Sequence, residues 1–217
     1  LEHAKPQSHK AQRIGLIGGT FDPIHNGHLI IAEEVRAVLD LEMMIFIPAG
    51  QPPHKPGDNT TAAYHRMAMV QLAIASNDFF IASRVEIDRP GPSYLIDTLR
   101  ILHEQLPPEA QLTFVLGWDS LQELPHWYHS ADILEQLTHL AAVGRPGYGD
   151  KMAYNSGDNQ ELETRLPGLA QKLCVVPAPQ IGISSTDLRR RVAEDRPIKY
   201  QVPEAVEQYI NTHGLYH

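Results

Sequence analysis

The feature that most constrains this chain is a turn, Gly18-Gly19-Thr20-Phe21-Asp22-Pro23-Ile24-His25-Asn26-Gly27-His28. An apolar run, Ile14-Gly15-Leu16-Ile17, precedes it and reads as a short buried strand. Residues 29–36 follow it with apolar side chains at helical spacing. A strand that ends in paired glycines and passes into a helix aims backbone N–H groups and a positive helix end at one point. With the helix beginning near Asn26, His25 and His28 meet at its first turn. The segment is therefore expected to hold an anion, phosphate foremost.

The rest of the chain repeats strand and helix in alternation. Further strands are expected at Met43–Pro48, 79–82, 112–117, 137–144 and 173–176. Helical patterns cover 63–75, 94–105, 185–192 and 203–211, and Arg89-Pro90-Gly91-Pro92 punctuates before the second of these. Alternation of this kind predicts an α/β fold, a doubly wound parallel sheet with helices on both faces and a small C-terminal helical segment. In such sheets a ligand sits beyond the carboxyl ends of the strands, where the strand order reverses. Four segments directly follow expected strand ends: 18–28, 50–56, 117–121, where Gly117 is expected to open a loop, and 144–147. They should converge on one cleft. The loop 50–61 is longer than most connections and a functional candidate, and the polar 145–159 segment is expected to be mobile.

Composition narrows the chemistry. The chain carries a net charge of -8, with 26 acidic residues against 18 Lys and Arg, which argues against nucleic acid as a partner. A small phosphorylated ligand needs only a local cluster of cations. The lone Cys174 excludes an internal disulfide and a cysteine-based zinc site, and its apolar neighbours suggest a buried thiol. No apolar stretch is long enough for a membrane span, and a cytoplasmic protein is expected. Residues 1–12 are expected to be disordered or vector-derived, leaving 13–217 as a single domain.

A second signature lies near the C-terminus, Ile183-Ser184-Ser185-Thr186-Asp187-Leu188-Arg189. Ser185 or Thr186 is expected to cap a helix there, with Arg189 one turn onward adding charge. Taken with the first turn, it resembles the paired signatures of adenylyltransferases in the nucleotidyltransferase α/β phosphodiesterase superfamily, a Rossmann-like fold. The closer resemblance is to the bacterial nicotinate mononucleotide adenylyltransferases, and it covers nearly the whole chain. Supporting matches are Pro52-Pro53-His54-Lys55, Pro92-Ser93-Tyr94 with Asp97-Thr98-Leu99, Gly117-Trp118-Asp119-Ser120-Leu121 with Trp127, and Arg145-Pro146-Gly147. Tyr209-Ile210-Asn211 and Gly214-Leu215-Tyr216 are similar to that family's end. One departure is Leu95, where the family commonly has a threonine.

The resemblance implies transfer of AMP from ATP to nicotinate mononucleotide, making deamido-NAD and pyrophosphate without a covalent enzyme intermediate. It implies catalytic roles for His25, His28 and Arg189. Gly18, Gly19, Thr20, Phe21, Gly117, Asp119, Ile183, Ser184, Ser185 and Thr186 would bind ATP. Lys55, Ser93, Tyr94, Trp127 and Arg145 would bind nicotinate mononucleotide. Mg²⁺ would bridge the triphosphate, with no metal ligand expected from protein side chains; a homo-oligomer is left open.

Three further classes fit the residues less well, and a fourth differs only in turnover. Pantetheine-phosphate adenylyltransferases are shorter and lack the segments between Gly50 and Trp127. A metal hydrolase would need carboxylate-rich partners beside the histidines. A dinucleotide oxidoreductase would carry Gly-x-Gly-x-x-Gly after the first strand, which is absent here. A non-catalytic nucleotide sensor differs only in turnover.

Overall fold

The computed structural model describes residues 12–52, 60–144, 157–179 and 181–217. Among them, six strands form one sheet: β1 (Arg13–Gly19), β2 (Met43–Pro48), β3 (Phe80–Ala82), β4 (Gln111–Gly117), β5 (His139–Gly144) and β6 (Leu173–Pro177). Their order is β3-β2-β1-β4-β5-β6, and every pairing is parallel. The chain starts in the middle, winds to one edge, returns to the far side of β1 and winds to the other. The reversal falls between β1 and β4, so their loops leave in opposite directions and a crevice opens at their carboxyl ends.

Period-two alternation divides the strand side chains between two cores. On one face lie Ile17, Met44, Phe46, Val115, Ala141 and Val143. They are covered by α1 (Asn26–Val38), α2 (Ala63–Ile74), α8 (Ser185–Ala193) and α9 (Glu204–His213). On the other lie Ile14, Leu16, Ile45, Ile47, Leu112, Phe114, Leu116, Leu140 and Ala142. That face is covered by α3 (Leu95–Gln105), α4 (Trp118–Glu123), α5 (Ser130–Gln136), α6 (Gly157–Arg165) and α7 (Leu169–Lys172). Both faces of the parallel sheet are dry, as such sheets require.

The structure corrects four expectations. Gly117 does not open a loop: it is the extended N-cap of α4, which starts directly at Trp118, with Asp119 in the first turn where a carboxylate suits the helix dipole. The helix α6 begins at Gly157, inside the segment expected to be mobile, and Leu162 anchors it in the second core. The cap of α8 is Ser184, one residue before the expected position, its hydroxyl accepting from the Asp187 N–H at 3.2 Å. Cys174 is half-buried on the edge strand β6, and its apolar surroundings push the thiol above its ordinary pKa, away from nucleophilic use.

Candidate active site

The turn after β1 is held in an uncommon backbone form. Phe21 sits in the left-handed region at φ 50°, which costs a phenylalanine about 1 kcal/mol or more, and a cis bond joins Asp22 to Pro23. The reward is that the Phe21 ring folds inward. It is buried against Phe46, with its edge toward His28 at a centroid distance of 5.0 Å.

His25 is the extended N-cap of α1 and His28 its third residue. Their rings stack at 3.7 Å with an interplanar angle of 22°. The His25 backbone N–H donates to His28 Nδ1 at 3.2 Å. An accepting Nδ1 leaves the His28 proton on Nε2, so this ring offers a fixed donor at its far end. His25 Nδ1 is buried with no partner, a polar atom left open beside the helix start. Gly27 makes the stacking possible, since a Cβ there would lie 3.0 Å from His25 Nδ1.

Burial pushes the His25 pKa down to about 4. Burial, then the neighbouring His25 charge, pushes His28 down to about 3. Both rings are therefore neutral at pH 7. The first turn of α1 carries no acidic residue, so the positive end of a 13-residue helix is left for an anion.

Two cavities open at the switch point. The larger, about 700 Å³, runs from Gly18, His28 and Ile31 past Phe114–Gly117 and Asp119 to Ile181–Ser184. The smaller, about 500 Å³, is bounded by Gly18–Thr20, Ala49, Pro52, Glu86, Ser93–Leu95, Trp127 and Tyr128. Gly18, Phe114 and Trp127 line both, so the two meet at the end of β1. Each volume suits a small organic ligand, and the smaller cavity has aromatic walls, with Tyr94 and Tyr128 rings 4.6 Å apart and Phe114 edge-on to Trp127 at 6.2 Å. Among the described residues, no Lys or Arg lines either cavity.

A sequence model of the cytidylyltransferase-like family matches residues 16–191. A probable nicotinate-nucleotide adenylyltransferase of Thermomicrobium roseum is 46% identical over 204 residues, covering 94% of this chain and 91% of that protein. One from Roseiflexus castenholzii is 48% identical, covering 94% and 98%. The chain belongs to the cytidylyltransferase-like family, among its nicotinate-nucleotide adenylyltransferases. Its fold is also that of Plasmodium falciparum nicotinic acid mononucleotide adenylyltransferase complexed with NaAD, at a TM-score of 0.72, with 94% and 97% of the two chains covered. The same protein complexed with APC gives 0.68. At 18% identity those two likenesses speak for the fold alone.

In this member of the family the two signatures meet physically. Ser185 Oγ donates to the Pro23 carbonyl at 2.9 Å, and Arg189 Nη1 donates to the Asp22 carbonyl at 2.7 Å. Together they tie the start of α8 to the first turn. Ile183 and Ser184 line the larger cavity; Ser185, Thr186 and Arg189 do not. Gly117 and Asp119 line it, and Gly18 lines both cavities, whereas Gly19 and Thr20 line only the smaller. Phe21 lines neither. Ser93, Tyr94 and Trp127 line the smaller cavity, as does Leu95. Ser93 is also structural: its Oγ accepts from the N–H groups of Gly50 at 2.9 Å and Gln51 at 3.1 Å. Lys55 and Arg145 lie outside the described residues.

Sequence reasoning missed Phe114, Tyr128 and Glu86. Phe114 alternates into the site from β4, between Thr113 and Val115. Glu86 is buried and accepts from Thr98 Oγ1 at 2.7 Å, and burial raises its carboxyl pKa. It missed Asp22 as well, which accepts from Tyr216 Oη at 2.7 Å and the Thr61 N–H at 3.2 Å. The sequence signal for that pairing was weak, since 194 residues separate Asp22 from Tyr216.

Proposed function

We propose that this chain transfers AMP from ATP to nicotinate mononucleotide, releasing pyrophosphate and deamido-NAD. The observation that carries the reading is the junction of the two cavities at Gly18, beside the His25–His28 pair and the start of α1. ATP occupies the larger cavity, with its α- and β-phosphates toward His28 and the helix end. The mononucleotide occupies the smaller, its pyridine ring among Trp127, Tyr94 and Tyr128 and its phosphate toward Gly18 and Gly19.

A phosphate oxygen of the mononucleotide then attacks the α-phosphorus of ATP. The bond from that phosphorus to the bridging oxygen breaks, and pyrophosphate leaves with the electron pair. No side chain needs to act as a nucleophile. The work is alignment and charge stabilisation. His28 supplies its Nε2–H donor, and anionic phosphates favour the charged form of both rings against the burial that opposes it. Arg189, fastened by Nη1 to the Asp22 carbonyl, brings a cation to the rim of the turn.

Mg²⁺ is the further component we assign. Among the described residues no three His, Cys, Asp or Glu side chains gather around a metal position, and Asp119 is the one carboxylate on the larger cavity. That donor set fits an ion that arrives on triphosphate oxygens and water. The ion would neutralise charge on the leaving pyrophosphate. Lys55 and Arg145 are the candidates for holding the mononucleotide phosphate. Among the described residues no helix is long and apolar enough to cross a membrane.

The test is pyrophosphate release from Mg-ATP with nicotinate mononucleotide, nicotinamide mononucleotide or phosphopantetheine as acceptor. Preference for the nicotinate compound is expected. Equal use of both mononucleotides would keep the chemistry but make this a dual-specificity enzyme, and release with phosphopantetheine alone would overturn the acceptor.

A further inference from the structure

Arg66 lies on α2, a helix that lines neither cavity, yet it is among the largest fully buried side chains, with 1% of its surface exposed. Its guanidinium donates to carbonyls of three separate segments. Nη1 reaches the Thr20 carbonyl at 2.8 Å, Nε the Thr61 carbonyl at 2.8 Å, and Nη2 the Gly50 carbonyl at 3.5 Å. Thr20 belongs to the phosphate-side turn and Gly50 to the turn after β2 that carries Ala49 and Pro52 into the smaller cavity.

Burial opposes the charge, and the Asp22 and Glu86 carboxylates favour it from nearby. An apolar side chain of similar volume would fill the space with less desolvation. The planar fork does what no apolar or single-point donor does: it fixes three carbonyls at set distances from one another. The second anchor of the same wall is equally tight. A Cβ on Gly50 would lie 2.1 Å from the Glu86 carbonyl, and Ser93 Oγ holds the Gly50 and Gln51 N–H groups.

We propose that Arg66 is a positioning residue that sets the spacing between the Thr20 and Gly50 turns, and through it the in-line alignment of the two bound nucleotides. It rests on the transfer reaction proposed above. Because the guanidinium touches backbone on both sides, it acts on alignment more than on either affinity.

The experiment compares Arg66→Lys, Arg66→Met and Val70→Ala, all assayed well below their melting transitions. Val70 is a fully buried apolar residue on the same helix and serves as a control for destabilisation alone. Dinucleotide formation gives kcat and both KM values, and calorimetry gives ATP affinity independently. Expected is a fall in kcat of about 10- to 100-fold in Arg66→Met, less in Arg66→Lys, with KM values and ATP affinity within about threefold. Val70→Ala should keep its kcat despite a comparable drop in melting temperature. The proposal is overturned if the Arg66 variants keep wild-type kcat, or lose no more than Val70→Ala does at equal destabilisation. If Arg66→Met does not fold, Arg66→Lys decides alone. A wild-type protein that binds ATP but makes no dinucleotide overturns the reaction itself, and is recognised before any variant is compared.

Discussion

Acidification should destabilise this protein through the stacked histidines, by an amount that follows from their burial. An unfolded histidine titrates at about 6.5, whereas His25 is held at about 4 and His28 at about 3. These are depressed histidine values, so the unfolded chain takes up protons first as pH falls. Stability contributed by neutral burial is intact above about pH 6.5 and is lost progressively down to the folded values. At about pH 5.5 the unfolded form of each ring is about tenfold more protonated than neutral, while the folded form is still almost wholly neutral. Each ring then costs about 1.3 kcal/mol relative to about pH 7.5, or about 2.5 kcal/mol for the pair. The figure depends little on how far the folded values lie below pH 5.5. Urea unfolding of the wild type and of a His25→Gln/His28→Gln variant at the two pH values isolates it, because all other groups titrate alike in both. The wild type should lose about 2.5 kcal/mol more than the variant on acidification. Equal losses would refute the claim that the rings are buried and neutral. Saturating Mg-ATP should shrink the difference, since phosphates favour the protonated rings.

Three substitutions probe the site further. His28→Ala should lower kcat by about 10²- to 10³-fold with a smaller effect on the KM for ATP, measured by steady-state pyrophosphate release. Trp127→Ala, which removes a wall shared by both cavities, should raise the KM for the mononucleotide by at least about tenfold and more than that for ATP. Gly27→Ala forces a Cβ to 3.0 Å from His25 Nδ1, and should cost about 1–2 kcal/mol in thermal unfolding and reduce kcat by displacing the ring.

Much of this architecture was legible because local and global signals agree. The apolar runs fall at β1, β2, β4, β5 and β6 within two residues, and the helical patterns at 63–75 and 94–105 match α2 and α3. His25 and His28 were legible from spacing alone, because a helix start fixes their proximity. Short elements were not: α4 has six residues and α7 four, too few for periodicity to register. The polar scaffold was also hidden. A lone Arg66 in a helical run looks like a solvated charge, and only the tertiary fold brings Thr20, Gly50 and Thr61 to it. Ser185 and Arg189 donate hydrogen bonds to the Pro23 and Asp22 carbonyls, contacts across more than 160 residues that no local pattern encodes.

The most direct measurement follows the label from ATP carrying a radioactive α-phosphorus, mixed with Mg²⁺, nicotinate mononucleotide and enzyme, and quenched in acid over a single turnover. Direct in-line transfer predicts that the label moves from ATP into the dinucleotide with no labelled protein at any time. Label held on the protein, or released only as free AMP, would contradict it.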